Sequence, residues 1–169
     1  GQTRAAEEIQ ALYQTVIKGN FPAAVTAGKY QTLNILGRYV DTIVGELRLQ
    51  RPLKIVVDAG NGVAGNLAPL LYQKLGAKVI PLYCEVDGRF PHHHPDPSVP
   101  ENLQDLIQAV RVHQADVGLA FDGDADRLGV VTSQGTIIWP DRQLMAFAGD
   151  VLSRHPGALI VYDVKCSKN

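Results

Sequence analysis

Residues 53–83 have the sequence LKIVVDAGNGVAGNLAPLLYQKLGAKVIPLY, and this stretch decides the fold. The run 53–57 is short, apolar and rich in β-branched residues, which is typical of a buried strand, and 78–83 is a second such run. Between them, the glycine-rich loop 60–65 precedes apolar residues at helical spacing over 66–75. A strand, a helix and a second strand in this order predict two parallel strands joined by a crossover helix.

The same alternation continues on both sides of this unit. A Pro/His-rich loop at 89–100 precedes a helix marked by apolar residues over 103–110, with Pro100 in its first turn. The remaining predicted elements are helices at 3–18, 31–49 and 140–153, a connector at 21–30, and strands at 116–121, 128–132 and 159–162. The predicted fold class is α/β, with a mainly parallel sheet covered by helices on both faces and preceded by two N-terminal helices.

The composition excludes several classes of protein. The chain has 169 residues, 46% hydrophobic and 20% charged, which is ordinary for a folded globular chain. A formal net charge of -1 offers no basic footprint for nucleic acid, and no apolar run reaches the roughly 20 residues of a membrane span. The N-terminus lacks the pattern of a signal peptide, and Cys84 and Cys166 have no zinc or disulfide spacing. We therefore expect a cytoplasmic protein with neither nucleic-acid nor membrane partners.

Residues 121–127, FDGDADR, carry the strongest chemical signal. Asp122, Asp124 and Asp126 alternate along the chain, so that in an extended loop their side chains share one side. Carboxylate oxygens favour Mg²⁺, Ca²⁺ or Mn²⁺ over zinc or copper. A guanidinium such as that of Arg127 suits bidentate binding of phosphate, and together with an incompletely coordinated metal it indicates phosphoryl transfer.

Two other interpretations of this loop are an EF-hand and a solvated acidic turn. An EF-hand starting at Asp122 needs Gly at its sixth position and Glu at its twelfth, but those positions hold Arg127 and Ser133. A solvated acidic turn is the other possibility, because Asp and Gly are common turn residues. Three regularly spaced aspartates with an adjoining arginine exceed what a turn requires.

Residues 60–65, GNGVAG, open a rival hypothesis from another class of function. They fit the G-x-G-x-x-G pattern of a dinucleotide-binding turn, with Glu85 after the next strand as a candidate for the ribose hydroxyl. Glycines at such a turn also serve tight packing between strand and helix. NAD should stabilise the chain only under the first interpretation. The histidines at 92–94 lie in a Pro-rich segment, and we interpret them as part of a structural loop rather than as a second metal site.

Several segments together resemble one known family. FDGDADR is similar to the metal-binding loop of the α-D-phosphohexomutases, and other stretches resemble their bacterial phosphomannomutase/phosphoglucomutase branch. These stretches are VDAGNGVAG at 57–65, LYCEVDGRFPHHHPDP at 82–97, WPDRQLM at 139–145 and DVKC at 163–166. The resemblance implies an isomerase that interconverts hexose 1-phosphates and 6-phosphates of mannose or glucose through a phosphoserine and a 1,6-bisphosphate.

The resemblance also assigns roles to individual residues. It implies that Asp122, Asp124 and Asp126 bind Mg²⁺, with a phosphoserine oxygen completing the site. It places Arg127 at the reacting phosphate as a catalytic and substrate-binding residue, and Lys165 in contact with the phosphosugar. It further implies a monomeric enzyme activated by glucose 1,6-bisphosphate.

The sequence lacks the family's loop with the nucleophilic serine. Members have four domains, and their nucleophilic serine lies in a TASHNP-like loop that does not occur in this sequence. We therefore interpret 1–30 as the last helix of a preceding domain plus a connector, and 31–157 as the metal-binding α/β domain. Residues 158–169 are then a linker and the first strand of a following domain. The fragment alone is expected to be inactive. A third hypothesis, beside the phosphohexomutase domain and the NAD-binding module, is a structural unit without ligand affinity of its own.

Overall fold

The sheet is organised around a strand that is buried on both faces, β1 (Lys54–Asp58). Its neighbours β2 (Lys78–Leu82) and β3 (Val117–Phe121) both run parallel to it, with Ile55 paired to Val79 on one side and to Val117 on the other. A strand flanked on both edges and both faces is shielded from water, which explains why the residues at its centre, 55–57, are all apolar.

The computed structural model describes residues 5–21, 23 and 26–167 and divides the chain into two compact units, Gly1–Asn34 and Ile35–Asn169. In the first unit, α1 (Ala6–Lys18) ends at Gly19, whose φ of 65° is the left-handed conformation common after helices. The division falls four residues beyond the predicted boundary at 30/31. The assignment of these units to domains of a longer protein stays a prediction.

In the described part of the second unit, five strands form one sheet in the order β2-β1-β3-β4-β5. The last two, β4 (Leu128–Thr132) and β5 (Ile137–Ile138), are antiparallel to their neighbours. Only residues 122–127 separate β3 from β4, and a parallel connection needs a dozen or more residues, so β4 must turn back. The predicted α/β class is confirmed, with the parallel part of the sheet confined to β1, β2 and β3.

Helices cover both faces of the sheet, as predicted. On one face, Ile55 and Val57 pack with Ala68 of α3 (Ala68–Lys74). On the other face, Val56 packs with Leu106 and other residues of α4 (Gln104–His113). The alternation of side chains along β1 thus feeds two separate hydrophobic clusters.

Two more helices complete the second unit. α2 (Leu36–Glu46) buries Val40, and its Asp41 pairs with Lys74 of α3 at 2.6 Å. α5 (Pro140–Arg154) is tied to the sheet by Gln143, whose side-chain amide donates to the Ile138 carbonyl at 2.8 Å. Among the residues that the structure describes, no helix combines the length and apolar character needed to cross a bilayer.

The structure differs from the predicted elements in four places. α2 is shorter than the predicted 31–49, and the helix predicted over 66–75 begins as a 3-10 turn, Val63–Asn66, before α3. The two-residue β5 was too short to predict. The strand predicted at 159–162 is wrong, because these residues form no strand and lie beside no other strand in the described chain. An apolar run becomes a strand only where a neighbour pairs with its backbone.

Candidate metal centre

Three loops meet where the parallel strands end. They are the glycine turn (residues 59–65) after β1, the His/Pro loop (residues 89–100) beyond β2, and the acidic loop (residues 122–127) after β3. The backbone N–H of Val63 donates to the Gly123 carbonyl at 3.2 Å, which joins the glycine turn to the acidic loop. The carboxyl edge of a parallel sheet is the usual place for ligand sites in open α/β folds.

The acidic loop brings its three aspartates together. One carboxylate oxygen from each of Asp122, Asp124 and Asp126 lies within 4.8 Å of the others. The loop makes this turn with Ala125 at a φ of 65°, and the Ala125 N–H donates to the Asp122 carbonyl at 3.2 Å. Asp122 is buried and the other two are exposed, so the cluster has one fixed member and two that face water.

The donor set fits a hard divalent cation. Adjacent oxygens around an octahedral Mg²⁺ are about 3 Å apart, so the three aspartate oxygens, which lie within 4.8 Å of one another, would move closer together on binding. Calcium, with its longer bonds, would require a smaller movement. Asp122, Asp124 and Asp126 are thus placed to hold either ion, with exposed positions left for water or a phosphate oxygen.

Arg127 is fastened to the buried member of this cluster. Its backbone N–H donates to Asp122 Oδ1 at 3.0 Å and its Nε donates to Asp122 Oδ2 at 2.8 Å. Its Nη1 donates to Asp96 Oδ1 at 3.0 Å. The hydrogen bond to Asp122 raises the pKa of Arg127 above its already high value, so the guanidinium stays charged.

Two carboxyl groups of the acidic loop have pKa values shifted in opposite directions. Burial raises the pKa of Asp122, but hydrogen bonds from the backbone and side chain of Arg127 outweigh burial and hold it below the usual range. Hydrogen bonding with Asp122, and then the charge of Asp124, raise the pKa of Asp126. Negative charge therefore exceeds what Arg127 neutralises, and a bound cation would relieve that excess.

The glycines of the glycine turn are required by packing within the chain, because other backbone atoms occupy the space beside them. A Cβ at Gly62 would lie 2.8 Å from the Gly123 carbonyl oxygen, and one at Gly65 would lie 2.1 Å from the Cys84 carbonyl oxygen. The turn also leads into a 3-10 turn, without the α-helix N-terminus that holds a pyrophosphate. Glu85, the candidate for the ribose hydroxyl, is exposed. The NAD hypothesis finds no support here, and these glycines serve packing.

The His/Pro loop is held by its histidines, in keeping with a structural role for them. The His92 Nδ1 and Asn61 Oδ1 atoms are 2.8 Å apart, and the His92 ring stacks on Tyr83 with centroids 3.9 Å apart. His93 Nε2 lies 3.1 Å from Asp58 Oδ2, a carboxylate fully buried at the end of β1. That hydrogen bond raises the pKa of His93 although burial opposes it.

Comparison with known proteins decides the family. The family described as phosphoglucomutase/phosphomannomutase, alpha/beta/alpha domain II, matches residues 37–135. This chain belongs to the phosphoglucomutase/phosphomannomutase family. The matched range contains all three loops of the carboxyl edge, so the family assignment and the site concern the same part of the molecule.

Individual relatives agree with the family. The chain is 56% identical over 168 residues to a phosphomannomutase/phosphoglucomutase of Pseudomonas aeruginosa and 58% identical to a phosphoglucomutase of Neisseria gonorrhoeae. Each comparison covers 99% of this chain and 36% of the relative, so the chain spans about a third of the length of these curated relatives.

A solved structure supports the same fold. The phosphoglucomutase/phosphomannomutase family protein of Burkholderia thailandensis superposes with a TM-score of 0.88 at 53% identity. The superposition covers 98% of this chain and 36% of that one.

One residue that the family resemblance singles out makes its hydrogen bond elsewhere. Lys165 is exposed in a turn closed by its own backbone N–H, which donates to Asp163 Oδ1 at 2.8 Å. Ser167, just after this turn, donates to Asp141 on α5. Within the described residues, no hydrogen bond or ion pair joins Lys165 to the acidic loop, so its role stays a prediction.

Two structural partners escaped the sequence interpretation. Asp96 contacts Arg127 across 31 residues, and Asp58 contacts His93 across 35 residues. Residues so distant in sequence form no recognisable motif, and their contact depends on the packing of the loops in the folded structure. In this family member the His/Pro loop is thus part of the support of the acidic loop.

Proposed function

We propose that this chain is the metal-binding domain of a phosphohexomutase that interconverts hexose 1-phosphates and hexose 6-phosphates of mannose or glucose. The observation that carries the proposal is the convergence of Asp122, Asp124 and Asp126 beside a charged arginine at the carboxyl edge of the sheet. Membership of the phosphoglucomutase/phosphomannomutase family supports it.

The three aspartates would hold Mg²⁺ in this enzyme. Bound there, Mg²⁺ supplies positive charge that offsets the negative charge on a transferring phosphoryl group. The chain's own contribution is a rigid frame, since Asp122 is buried and fixed by two hydrogen bonds from Arg127. Such preorganised charge is the main source of catalysis in phosphoryl transfer.

Arg127 would bind and orient the reacting phosphate. The guanidinium has five N–H donors, and its bonds to Asp122 and Asp96 use two of them. Its side chain is half exposed, so the remaining donors are accessible to a phosphate. Because Arg127 Nε donates to Asp122, the orientation of the guanidinium that would bind phosphate depends on the position of a proposed metal ligand.

Other parts of the reaction would come from the longer protein. A phosphoserine outside this chain would donate the phosphoryl group, form a 1,6-bisphosphate of the sugar, and accept the other phosphate back. Lys165 would contact the phosphosugar, and glucose 1,6-bisphosphate would activate the enzyme. The complete enzyme would be a cytoplasmic monomer, and this chain alone would be inactive.

The first test is where a divalent ion binds. Mn²⁺ added to the isotopically labelled chain should broaden the NMR signals of residues 122–127, and Mg²⁺ should reverse the broadening by competition. Asp124→Asn should weaken the broadening, because it replaces one carboxylate of the proposed metal site by a neutral amide. Asp124 is exposed and makes no hydrogen bond within the described residues, so the change should not disturb the fold. Asp150→Asn, the same change on α5, is the matched control.

The outcomes separate the hypotheses. Broadening centred on His92 to His94 would move the metal to the His/Pro loop and contradict the proposed site. If no signal broadens, the titration is repeated with the full-length phosphorylated enzyme, whose phosphoserine supplies the additional ligand. Absence of binding at the acidic loop there as well would overturn the proposal.

A further inference from the structure

Arg127 is held between two carboxylates that come from different loops. Nε donates to Asp122 within the acidic loop, whereas Nη1 donates to Asp96 Oδ1 in the His/Pro loop at 3.0 Å. One hydrogen bond leaves a guanidinium free to rotate about that bond. Two bonds from different nitrogens fix both the position and the plane of the group.

Asp96 is itself prepared for this contact. Its Oδ1 accepts the Ser98 N–H at 3.0 Å and the Ser98 hydroxyl at 2.7 Å, and its carbonyl oxygen accepts the Asn102 side-chain amide at 3.0 Å. The Asp96 side chain is 22% exposed, against 53% for Arg127. The carboxylate is therefore the less mobile partner, and Arg127 is held by it.

The His/Pro loop that carries Asp96 is seated directly against both other loops. Gly60 leaves room for Pro95, since a Cβ at Gly60 would lie 2.9 Å from the Pro95 Cβ. Pro95 also lies beside Gly123, where a Cβ would be in ordinary contact with the Pro95 Cγ at 3.5 Å. His93 anchors the same loop to the buried Asp58. Asp96 thus has a fixed position relative to the acidic loop.

We propose that Asp96 is a positioning residue for phosphoryl transfer, which holds the plane of the Arg127 guanidinium so that its free N–H groups meet the reacting phosphate. This inference rests on the proposed function, because it needs Arg127 to contact phosphate. Asp96 itself touches neither metal nor substrate in this scheme. Its effect reaches the reaction only through Arg127.

The chain contains a matched control for this pair. Asp87 and Arg89 form another Asp–Arg pair, between near neighbours in sequence, in which Asp87 Oδ1 accepts the Arg89 N–H at 3.0 Å and the Arg89 Nε at 2.9 Å. The Arg89 side chain is 88% exposed, and within the described residues neither member contacts the acidic loop. Asp87→Ala therefore removes an Asp–Arg pair of the same kind without disturbing Arg127.

The test is a double-mutant cycle on the full-length enzyme, with Asp96→Ala, Arg127→Lys and the double variant. Misplacing a group that acts in the transition state costs up to about 100-fold, so Asp96→Ala should lower kcat by about 10- to 100-fold. Because the lost interaction belongs to the transition state, kcat/KM should fall equally and KM should stay the same. Asp87→Ala should leave both constants unchanged.

The cycle distinguishes positioning from a merely structural role. If Asp96 acts through Arg127, adding Asp96→Ala to Arg127→Lys should cause little further loss of kcat. Independent, multiplying losses would overturn the inference, as would a rise in KM with unchanged kcat. Asp96→Asn keeps an acceptor oxygen for Arg127 and should restore part of the kcat. If Asp96→Ala does not fold, the same cycle is run with Asp96→Asn.

Failure of the proposed function would look different. If Asp124→Asn and Arg127→Lys both keep full turnover, the acidic loop is not the reaction site and the proposed function falls together with this inference. If those two variants are impaired while Asp96→Ala is fully active, only the inference about Asp96 falls.

Discussion

The two ends of the parallel strands each carry an aspartate bound to an arginine and to a backbone N–H, yet the two clusters differ in charge. At the amino end, Asp116 accepts the Lys54 N–H at 2.7 Å and the Arg51 guanidinium at 2.9 Å. At the carboxyl end, Asp122 accepts the N–H and the guanidinium of Arg127. Local hydrogen bonding is therefore nearly the same at both ends.

What separates the ends is the number of carboxylates. The amino-end cluster sets one carboxylate against the guanidinium of Arg51 and the nearby Lys54. The carboxyl-end cluster sets four carboxylates, including Asp96, against the single guanidinium of Arg127. A cluster whose carboxylate is fully compensated by positive groups stabilises the fold, whereas one with surplus negative charge is suited to bind a cation.

The largest effect expected from this difference concerns turnover. Asp124→Asn in the full-length enzyme should lower kcat by about 10²- to 10³-fold, because it removes one ligand of the proposed metal that stabilises transition-state charge. Asp116→Asn makes the same chemical change in the amino-end cluster and should leave kcat unchanged. Steady-state assays of hexose 1-phosphate conversion measure both.

The proposed difference between the two ends of the strands is contradicted if Asp124→Asn and Asp116→Asn have the same effect on turnover. Near-normal turnover of Asp124→Asn would contradict the metal assignment. An equal loss in Asp116→Asn would show that a general loss of folded enzyme explains both, which a thermal unfolding measurement on each variant checks.

A second, smaller effect concerns two glycines at opposite ends of the strands. A Cβ at Gly62 would lie 2.8 Å from the Gly123 carbonyl oxygen, and overpacking of this kind costs about 1–3 kcal/mol of unfolding free energy. Gly76 precedes β2 at the amino end with a φ of 91° and open space beside it, so Gly76→Ala costs only its backbone strain, about 1 kcal/mol. Urea unfolding measures both costs.

Metal affinity separates the two glycine variants further. Gly62→Ala must displace the acidic loop through Gly123 and should weaken Mn²⁺ binding, whereas Gly76→Ala should leave it unchanged. Unaltered Mn²⁺ affinity in Gly62→Ala would mean that the acidic loop does not depend on the glycine turn for its shape.

The sequence predicted the fold where one element forms by its own pattern. β1, α3 and β2 follow from apolar runs and helical spacing in a single stretch, and the structure confirms them. It failed where an element depends on a distant neighbour. The run 159–162 has strand composition but no pairing partner in the described chain, and β5 exists only through two residues paired to β4.

The candidate site divides in the same way. Asp122, Asp124, Asp126 and Arg127 were found because their spacing is local, and the structure brings them together. Asp96 and the His93–Asp58 pair were missed, because each contact joins loops more than 30 residues apart in sequence. The Gly-rich turn was ambiguous for the same reason, since only Gly123 and Cys84 show that its space is filled.

The smallest effects expected are opposite pH dependences of stability at the two ends. The hydrogen bond to Asp58 raises the pKa of His93, so this pair stabilises the fold fully below the unfolded value of about 6.5 and less as pH rises through the folded value. Hydrogen bonds from Lys54 and then Arg51 lower the pKa of Asp116, so its contribution is full above about 3.9 and is lost as pH falls through the lower folded value.

Single variants show which residue causes each pH dependence of the unfolding free energy. The difference in unfolding free energy between wild type and His93→Gln should shrink as pH rises above about 6.5, whereas that for Asp116→Asn should shrink below about 3.9. Urea unfolding across this pH range measures both, with His113→Gln, an exposed histidine at the amino end, as the control. A pH-independent difference for His93→Gln would mean that the imidazole is neutral in its bond to Asp58. The His/Pro loop would then be held by packing of Pro95 and Tyr83 rather than by an ion pair.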